Sequence, residues 1–187
     1  MERRSMVGLI AVVVIVAVAM FAGCVEDETS APTPKPTLKP ESTIGWTYNN
    51  PAPLGDTVLS TSKAFQLTAI KIERGPQVNR AVAEANEFND PPHVGNEYMF
   101  VQIGFEYLEG DREYPLWRDD FKVYVNDVAL ESPYVVLPDD HPAIFQTDIM
   151  PGGTVEKWLC FEVPVDEDVI LAYDREMNYP VYYFEVA

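Results

Sequence analysis

The stretch "NEYMFVQIGFEY" (Asn96–Tyr107) decides the fold, because apolar residues alternate in it with polar or small ones. A β-strand places successive side chains on opposite faces, so this alternation predicts a strand with one buried face and one polar face. The residues predicted to form the buried face are Met99, Val101, Ile103 and Phe105.

Similar segments on both sides of this strand predict an antiparallel, all-β domain. The longer strands are expected at "KAFQLTAIKI" (Lys63–Ile72), "DFKVYVND" (Asp120–Asp127) and "TVEKWLCFEVP" (Thr154–Pro164), and shorter ones near 56–60, 143–148, 169–173 and 182–186. In the first of these segments the apolar positions change parity near Ala69, which predicts a β-bulge.

An insertion at about residues 75–95 interrupts the strand pattern. Within it, "VNRAVAEANEF" (Val78–Phe88) favours a short helix that Asn79 caps. A hairpin does not need so long a connection, and long loops are usually either functional or disordered.

The amino terminus has the features of an export leader. Arg3 and Arg4 precede an apolar run, Met6–Gly23. The following "FAGC" (Phe21–Cys24) resembles the lipobox of prokaryotic lipoproteins, which implies cleavage before Cys24 and a lipid on its sulfur. The alternative is a retained transmembrane helix in which Cys24 is incidental. In both cases the positive-inside bias places the rest of the chain outside the cytoplasm.

The sequence therefore predicts three parts. Residues 1–23 are a signal peptide with a lipobox ending at Cys24. Residues 24–50 are a disordered tether, first acidic and then rich in Pro and Thr, which its prolines extend. Residues 51–187 form the β domain with its insertion.

The charge balance argues against one class of partner. Thirteen Lys and Arg face thirty Asp and Glu, for a net charge of −17, so the chain repels phosphate backbones and no nucleic-acid binding is expected. Its two cysteines, Cys24 and Cys160, lie in segments of different character, which does not indicate a disulfide framework.

Three segments in order resemble a widespread family of prokaryotic exported lipoproteins with an immunoglobulin-like domain of unknown function. They are "PPHVGNEYMFVQIGFEY" (91–107), "DDFKVYVNDV" (119–128) and "IMPGGTVEKWLCFEVP" (149–164). The resemblance runs from about Leu54 to Ala187, and the same superfamily includes the secreted mycobacterial immunoprotective antigen. It implies an immunoglobulin-like antiparallel β-sandwich, export from the cell, and no catalytic residue to carry over.

Cys160 is expected to be a structural free thiol. It lies on the strand face opposite Leu159 and Phe161, and its acidic neighbours raise a thiol pKa rather than lower it. A blue-copper site is disfavoured because His93 and His141 both precede the cysteine, and Met177 follows it without a histidine. Gly152 and Gly153 are followed by a strand, which predicts a turn instead of a nucleotide cradle.

Acidic and aromatic residues leave alternatives open. The acidic clusters are either solvated surface charge, calcium loops, or a hydrolytic carboxylate pair that meets only in three dimensions. The aromatic residues belong either to the core and its rim, or to a platform that binds carbohydrate or protein. The acidic clusters are Asp119–Asp120, Asp139–Asp140 and Asp166–Asp168, and the aromatic candidates are Trp46, Tyr48, Trp117, Trp158 and the rings of "NYPVYYFEV" (178–186).

The leading hypothesis is a lipid-anchored extracytoplasmic module that binds a partner without catalysis or a cofactor, through the 75–95 insertion and neighbouring loops. The protein is expected to attach to the membrane through its N-terminal lipid or helix. The expected ligand is an envelope protein or a glycan. Two alternatives are a calcium-dependent or hydrolytic protein that uses acidic loop residues, and a purely structural envelope component.

Overall fold

The residues that the structure describes contain ten strands and one α-helix. A computed structural model describes residues 43–175 and 179–186, which belong to one compact unit, Glu41–Ala187. The elements are β1 (Thr57–Leu59), β2 (Phe65–Arg74), α1 (Pro76–Ala85), β3 (Asn96–Tyr107), β4 (Tyr114–Trp117), β5 (Phe121–Val125), β6 (Val128–Glu131), β7 (Gln146–Ile149), β8 (Thr154–Pro164), β9 (Ile170–Tyr173) and β10 (Tyr182–Glu185), with a 3-10 turn at Arg118–Asp120.

The strands form two four-stranded antiparallel sheets and a separate two-stranded ribbon. The first sheet has the order β1-β2-β3-β8, the second has the order β10-β9-β5-β6, and β4 pairs with β7 in the ribbon. The strand order β2-β3-β8 in the first sheet corresponds to A-B-E of an immunoglobulin sandwich, and the order β10-β9-β5-β6 in the second sheet corresponds to G-F-C-C′. The predicted fold class, an immunoglobulin-like antiparallel β-sandwich, is confirmed.

The main core lies between the two sheets, on the predicted face of β3. Met99, Val101, Ile103 and Phe105 are all at most 1% exposed, and they belong to one apolar cluster with Phe121, Leu171 and Phe184 from the second sheet. Burying each such side chain contributes about 1.5–3 kcal/mol, so this face of β3 is a major source of the stability of the sandwich.

A second, smaller core lies on the opposite face of the first sheet. Val78 and Val82, four residues apart on α1, pack against Tyr98, Phe100, Trp158 and Cys160. The even positions of β3 are therefore not all polar, since the helix covers two of them.

The helix begins and ends earlier than the sequence suggested. It occupies Pro76–Ala85 instead of 78–88, because Pro76 suits the first helical turn and Gly75, at φ 101°, turns the chain into it. The expected cap at Asn79 is wrong: its side-chain oxygen instead accepts a hydrogen bond from the Tyr98 backbone N–H at 2.8 Å. Asn79 therefore joins the helix to β3.

The remaining strand predictions need small corrections. The register of β2 against β3 shifts between Ala69 and Lys71, which confirms the β-bulge. Two strands were not predicted, β4 and β6. Asn126 and Asp127 both have positive φ, 50° and 65°, as a tight hairpin between β5 and β6 requires, so this dipeptide was the signal for β6.

The folded body starts before residue 51. Gly45 donates its backbone N–H to the Asn50 carbonyl at 2.8 Å and accepts one from Tyr183 of β10 at 2.7 Å. Residues 43–50 therefore belong to the sandwich and not to the predicted tether 24–50. The predicted signal peptide, Cys24 and the predicted tether up to residue 42 lie outside the described residues. In the described ranges, none of the helices has both the length and the apolar character that crossing a membrane requires.

Candidate functional site

The insertion between β2 and β3 ends in a loop, residues 86–95, that Asn89 fastens to the body. The Asn89 side-chain amide donates to the Val82 carbonyl of α1 at 2.7 Å and to the Val136 carbonyl at 2.8 Å. Its side-chain oxygen accepts the Val136 N–H at 2.9 Å. One side chain thus joins the loop, the helix and the segment that follows β6.

Further hydrogen bonds hold the two ends of the 86–95 loop. The Asn86 side chain accepts the Phe88 N–H at 2.9 Å, and the Tyr98 hydroxyl donates to the Asp90 carbonyl at 2.9 Å. Near the far end, Glu162 of β8 accepts hydrogen bonds from the His93 N–H and the Asn96 side chain, each at 2.8 Å. The loop backbone is therefore fixed along most of its length.

The environment of Glu162 favours the ionised carboxylate, which is the form that accepts these hydrogen bonds. Burial alone would raise its pKa, but the hydrogen bonds from Asn96 and His93 outweigh burial and hold the pKa of Glu162 below its usual value. The carboxylate is ionised at neutral pH and accepts hydrogen bonds from the loop.

This fixed loop carries apolar side chains in water. Phe88 is 85% exposed and Val94 is fully exposed, and Val136, which is hydrogen-bonded to Asn89, is half exposed. Binding residues are found disproportionately on loops that a rigid scaffold positions, so an exposed phenyl ring on an ordered surface loop is a candidate contact for another molecule. We call Phe88 and Val94 the apolar tip of this loop.

The surroundings of the apolar tip are acidic. Five carboxylates lie in the segments 76–95 and 132–141, against the single arginine Arg80. A groove of about 440 Å³ runs between α1 and residues 136–141, and Glu84, Asp139 and Asp140 line it together with small and apolar side chains. The five carboxylates are Glu84, Glu87, Asp90, Asp139 and Asp140.

His141 closes one end of this groove. Its Nδ1 lies 2.7 Å from Asp140 and its Nε2 lies 3.3 Å from Glu73, while its ring centroid lies 4.5 Å from that of Trp158. A hydrogen bond from Lys71, and then one from His141, hold the pKa of Glu73 below its ordinary value. The histidine is therefore held between two carboxylates, as a structural link between β2 and the 136–141 segment.

The thiol of Cys160 is buried in the second core, where it is 2% exposed and free of any disulfide. Burial, followed by the nearby charge of Glu162, raises its pKa well above the ordinary thiol range. The prediction of a structural free thiol is confirmed.

The acidic clusters do not converge. Within the parts of the chain that the structure describes, no group of three or more His, Cys, Asp or Glu side chains is arranged to hold a metal ion. Instead, Asp119 lies 2.7 Å from Arg118, Asp120 lies 3.6 Å from Arg175, and Glu167 accepts a hydrogen bond from Asn126 at 3.2 Å. Of the copper candidates, Met177 lies outside the described residues.

The aromatic candidates separate into buried and exposed sets. Trp158 is buried beneath α1, Tyr182 and Phe184 lie in the main core, and Trp46 is half-buried with its indole N–H directed at the Leu59 carbonyl at 3.2 Å. Tyr48 packs edge-on against Tyr124 and Tyr183. Trp117 alone of the three tryptophans is exposed, at 39%. Gly152 has φ 81° in a turn before β8, as predicted.

Comparison with known proteins supports the fold. No family model matches the chain, and no curated protein matches it. Among solved structures, yjhA from Bacillus subtilis is 14% identical and has a TM-score of 0.52, covering 73% of this chain and 99% of its own. At 13% identity and a TM-score of 0.51, ycdA, a candidate lipoprotein from the same organism, covers 66% of this chain.

The chain spans 36% of the length of ycdA. MPT63, a secreted protein from Mycobacterium tuberculosis, is 12% identical with a TM-score of 0.49, covering 72% of this chain and 97% of its own. At identities of 13–14%, the likeness to ycdA and yjhA shows a shared fold and nothing finer. The resemblance seen in the sequence is thus supported for the β-sandwich.

Proposed function

We propose that this protein is a lipid-anchored, extracytoplasmic binding module without catalytic activity, and that the apolar tip of its 86–95 loop is the contact surface. The observation that carries the proposal is the exposure of Phe88 and Val94 on a loop that is hydrogen-bonded to α1 through the Asn89 side chain, and to β3 and β8 through its backbone. Anchoring through Cys24 rests on the leader and lipobox-like residues in the sequence.

A fixed loop is suited to binding because its ordering cost is met during folding. Immobilising a flexible side chain on association costs about 0.5–1.5 kcal/mol, and loop ordering adds to this. Asn89 removes the loop part of that cost before any partner arrives. Phe88 can then act as an anchor residue, whose truncation in an interface commonly costs more than about 1 kcal/mol.

The five carboxylates Glu84, Glu87, Asp90, Asp139 and Asp140, which we call the acidic rim, indicate what kind of partner the apolar tip would bind. Five carboxylates and one arginine give this face a strongly negative potential, which adds to the net charge of −17. Complementary charge speeds encounter and disfavours wrong partners. The partner is therefore an envelope protein with an apolar pocket surrounded by Lys and Arg.

Two alternatives, a calcium-dependent or hydrolytic protein and a purely structural envelope component, have less support from the described residues. A calcium-dependent or hydrolytic site calls for converging carboxylates, and the acidic pairs of the described residues bond separately to Arg118, Arg175 and Asn126. A purely structural envelope component would not need an exposed phenylalanine on a fixed loop.

The anchoring part is tested by mass spectrometry of the mature protein from membranes. The expected N-terminal peptide begins at Cys24 and carries a diacylglyceryl group on its sulfur, with or without a third acyl chain on its amine. An intact Met1 or an unmodified Cys24 contradicts the anchor.

The binding part is tested by capture of envelope proteins from a membrane extract, with the wild type, Phe88→Ala and Val94→Ala. Leu54→Ala is the matched control, since Leu54 is an exposed apolar residue ahead of β1. Loss of a captured protein in the two tip variants but not in the control supports the proposal. Equal capture by all four proteins rules the apolar tip out.

A further inference from the structure

The ribbon formed by β4 and β7 carries a second surface that the proposed function does not use. Leu116 and Ile149 are buried in the main core and Tyr114 packs against it, so the ribbon has a fixed position on the sandwich. Because strand residues alternate in direction, Pro115 and Trp117 point the other way, toward solvent.

Polar side chains stand opposite these two rings. In the register of the ribbon, Trp117 pairs with Gln146 and Pro115 pairs with Asp148, and both polar residues are exposed. The outer face of the ribbon therefore combines two flat apolar surfaces with an amide and a carboxylate at adjacent positions.

An open groove of about 750 Å³ lies along this outer face of the ribbon. Arg112 and Glu113, which precede β4, line it together with the ribbon residues and the exposed side chain of Met150. The groove is wide and shallow, so it suits a polymer lying across the surface better than a small molecule that must be enclosed.

We propose that this groove binds an uncharged polysaccharide chain, with Trp117 as the stacking platform. One face of a pyranose ring is lined by C–H groups, whose partial positive charge complements the negative face of an indole ring. The hydroxyl groups at the ring edge both donate and accept hydrogen bonds, as do planar side-chain amides, while carboxylates accept and guanidinium groups donate. Gln146, Asp148 and Arg112 supply all three kinds of partner.

Charge selects against acidic glycans and nucleic acids. Glu113 and Asp148 outnumber Arg112 in the groove, and the whole chain carries −17. A polyanion would meet like charge both locally and at long range. A neutral or N-acetylated sugar chain meets no such repulsion.

Isothermal titration calorimetry of the full chain, held in a detergent without a sugar headgroup, tests the proposal. The probes are cellohexaose, chitohexaose and the polyanion polygalacturonate. The proteins are the wild type, Trp117→Ala, Gln146→Ala, and Trp46→Phe as a control tryptophan outside the groove. Circular dichroism verifies that each variant is folded, and Trp117 is exposed enough for its truncation to leave the core intact.

The expected result is saturable binding of at least one neutral hexasaccharide, weakened about tenfold or more in Trp117→Ala, weakened to a smaller extent in Gln146→Ala, and unchanged in Trp46→Phe. Polygalacturonate should not bind. The proposal is overturned if neither neutral hexasaccharide binds at millimolar concentration, if Trp117→Ala binds as well as the wild type, or if the polyanion binds best. None of these outcomes depends on Phe88 or on the lipid at Cys24.

Discussion

Replacing Gly45 by alanine should destabilise the sandwich more than the same change at Gly55. Both glycines have positive φ, 81° and 88°, so both substitutions force an alanine into the left-handed region. Their surroundings differ. A Cβ at Gly45 would lie 2.5 Å from Val58 Cγ2 and 3.2 Å from the Tyr183 carbonyl oxygen, whereas a Cβ at Gly55 meets nothing within 4 Å.

The expected magnitudes follow from these two situations. The left-handed conformation costs an alanine about 1–2 kcal/mol, and this part is common to both variants. Overpacking a closely packed site adds about 1–3 kcal/mol, and only Gly45→Ala incurs it. The free energy of unfolding should therefore fall by about 2–5 kcal/mol for Gly45→Ala and by about 1–2 kcal/mol for Gly55→Ala.

Urea unfolding followed by tryptophan fluorescence measures this difference. Both variants should keep the wild-type m-value, and the midpoint of Gly45→Ala should be the lower. Equal midpoints would show that residues 43–50 do not pack against β1 and β10. In that case the segment would belong to the tether, as its sequence first suggested.

Three further predictions concern the loop, the thiol and the acid limb of stability. Asn89→Ala should speed amide hydrogen exchange across residues 86–95 and cost about 1–3 kcal/mol of stability, since one side chain makes three hydrogen bonds there; unchanged exchange would mean that the loop is fixed by other contacts. Cys160 should not react with a thiol reagent at pH 8 until denaturant is added, because it is buried and its pKa is raised; rapid reaction of the native protein would contradict its place in the second core. Because the pKa of Glu73 is lowered in the folded state, its stabilising effect should be complete above its ordinary value of 4.5 and disappear as pH falls through the lower folded value. The difference in melting temperature between the wild type and Glu73→Gln should thus be constant at neutral pH and shrink below about pH 4.5, and a constant difference down to pH 2 would count against the interaction.

The sandwich could be predicted from the sequence because the alternation of apolar residues is clear in its central strand, β3, and in the strands that pair with it. The alternation in 99–105 identified the buried face, and the change of parity near Ala69 identified the bulge. The second core was missed in part, because Tyr98 and Phe100 are apolar on the face that the alternation reserves for polar residues. Two apolar residues on the wrong parity are the signal that a helix covers that face.

The proposed interaction surface was less accessible to sequence analysis. The insertion was recognised from its length, but Phe88 was assigned to a helix that in fact ends at Ala85. The loop that carries Phe88 is held by Asn89, whose partners Val82 and Val136 lie 7 and 47 positions away. Bonds across such distances leave no local pattern. Trp117 was an aromatic candidate in the sequence, but its partners Pro115, Gln146 and Asp148 were identified only from the pairing of β4 with β7.

Photo-crosslinking in intact cells can show whether the 86–95 loop contacts a partner. A photoreactive amino acid replaces Phe88 in one strain and Leu54 in a control strain, and the adducts are identified after irradiation. We expect a specific adduct with an envelope protein from position 88 and none from position 54. The adduct at position 88 should weaken at raised salt, because the carboxylates near the loop attract a positively charged partner less strongly when salt screens them. Failure of position 88 to form an adduct, or the same adducts from both positions, would show that this loop is not where the protein meets its partner.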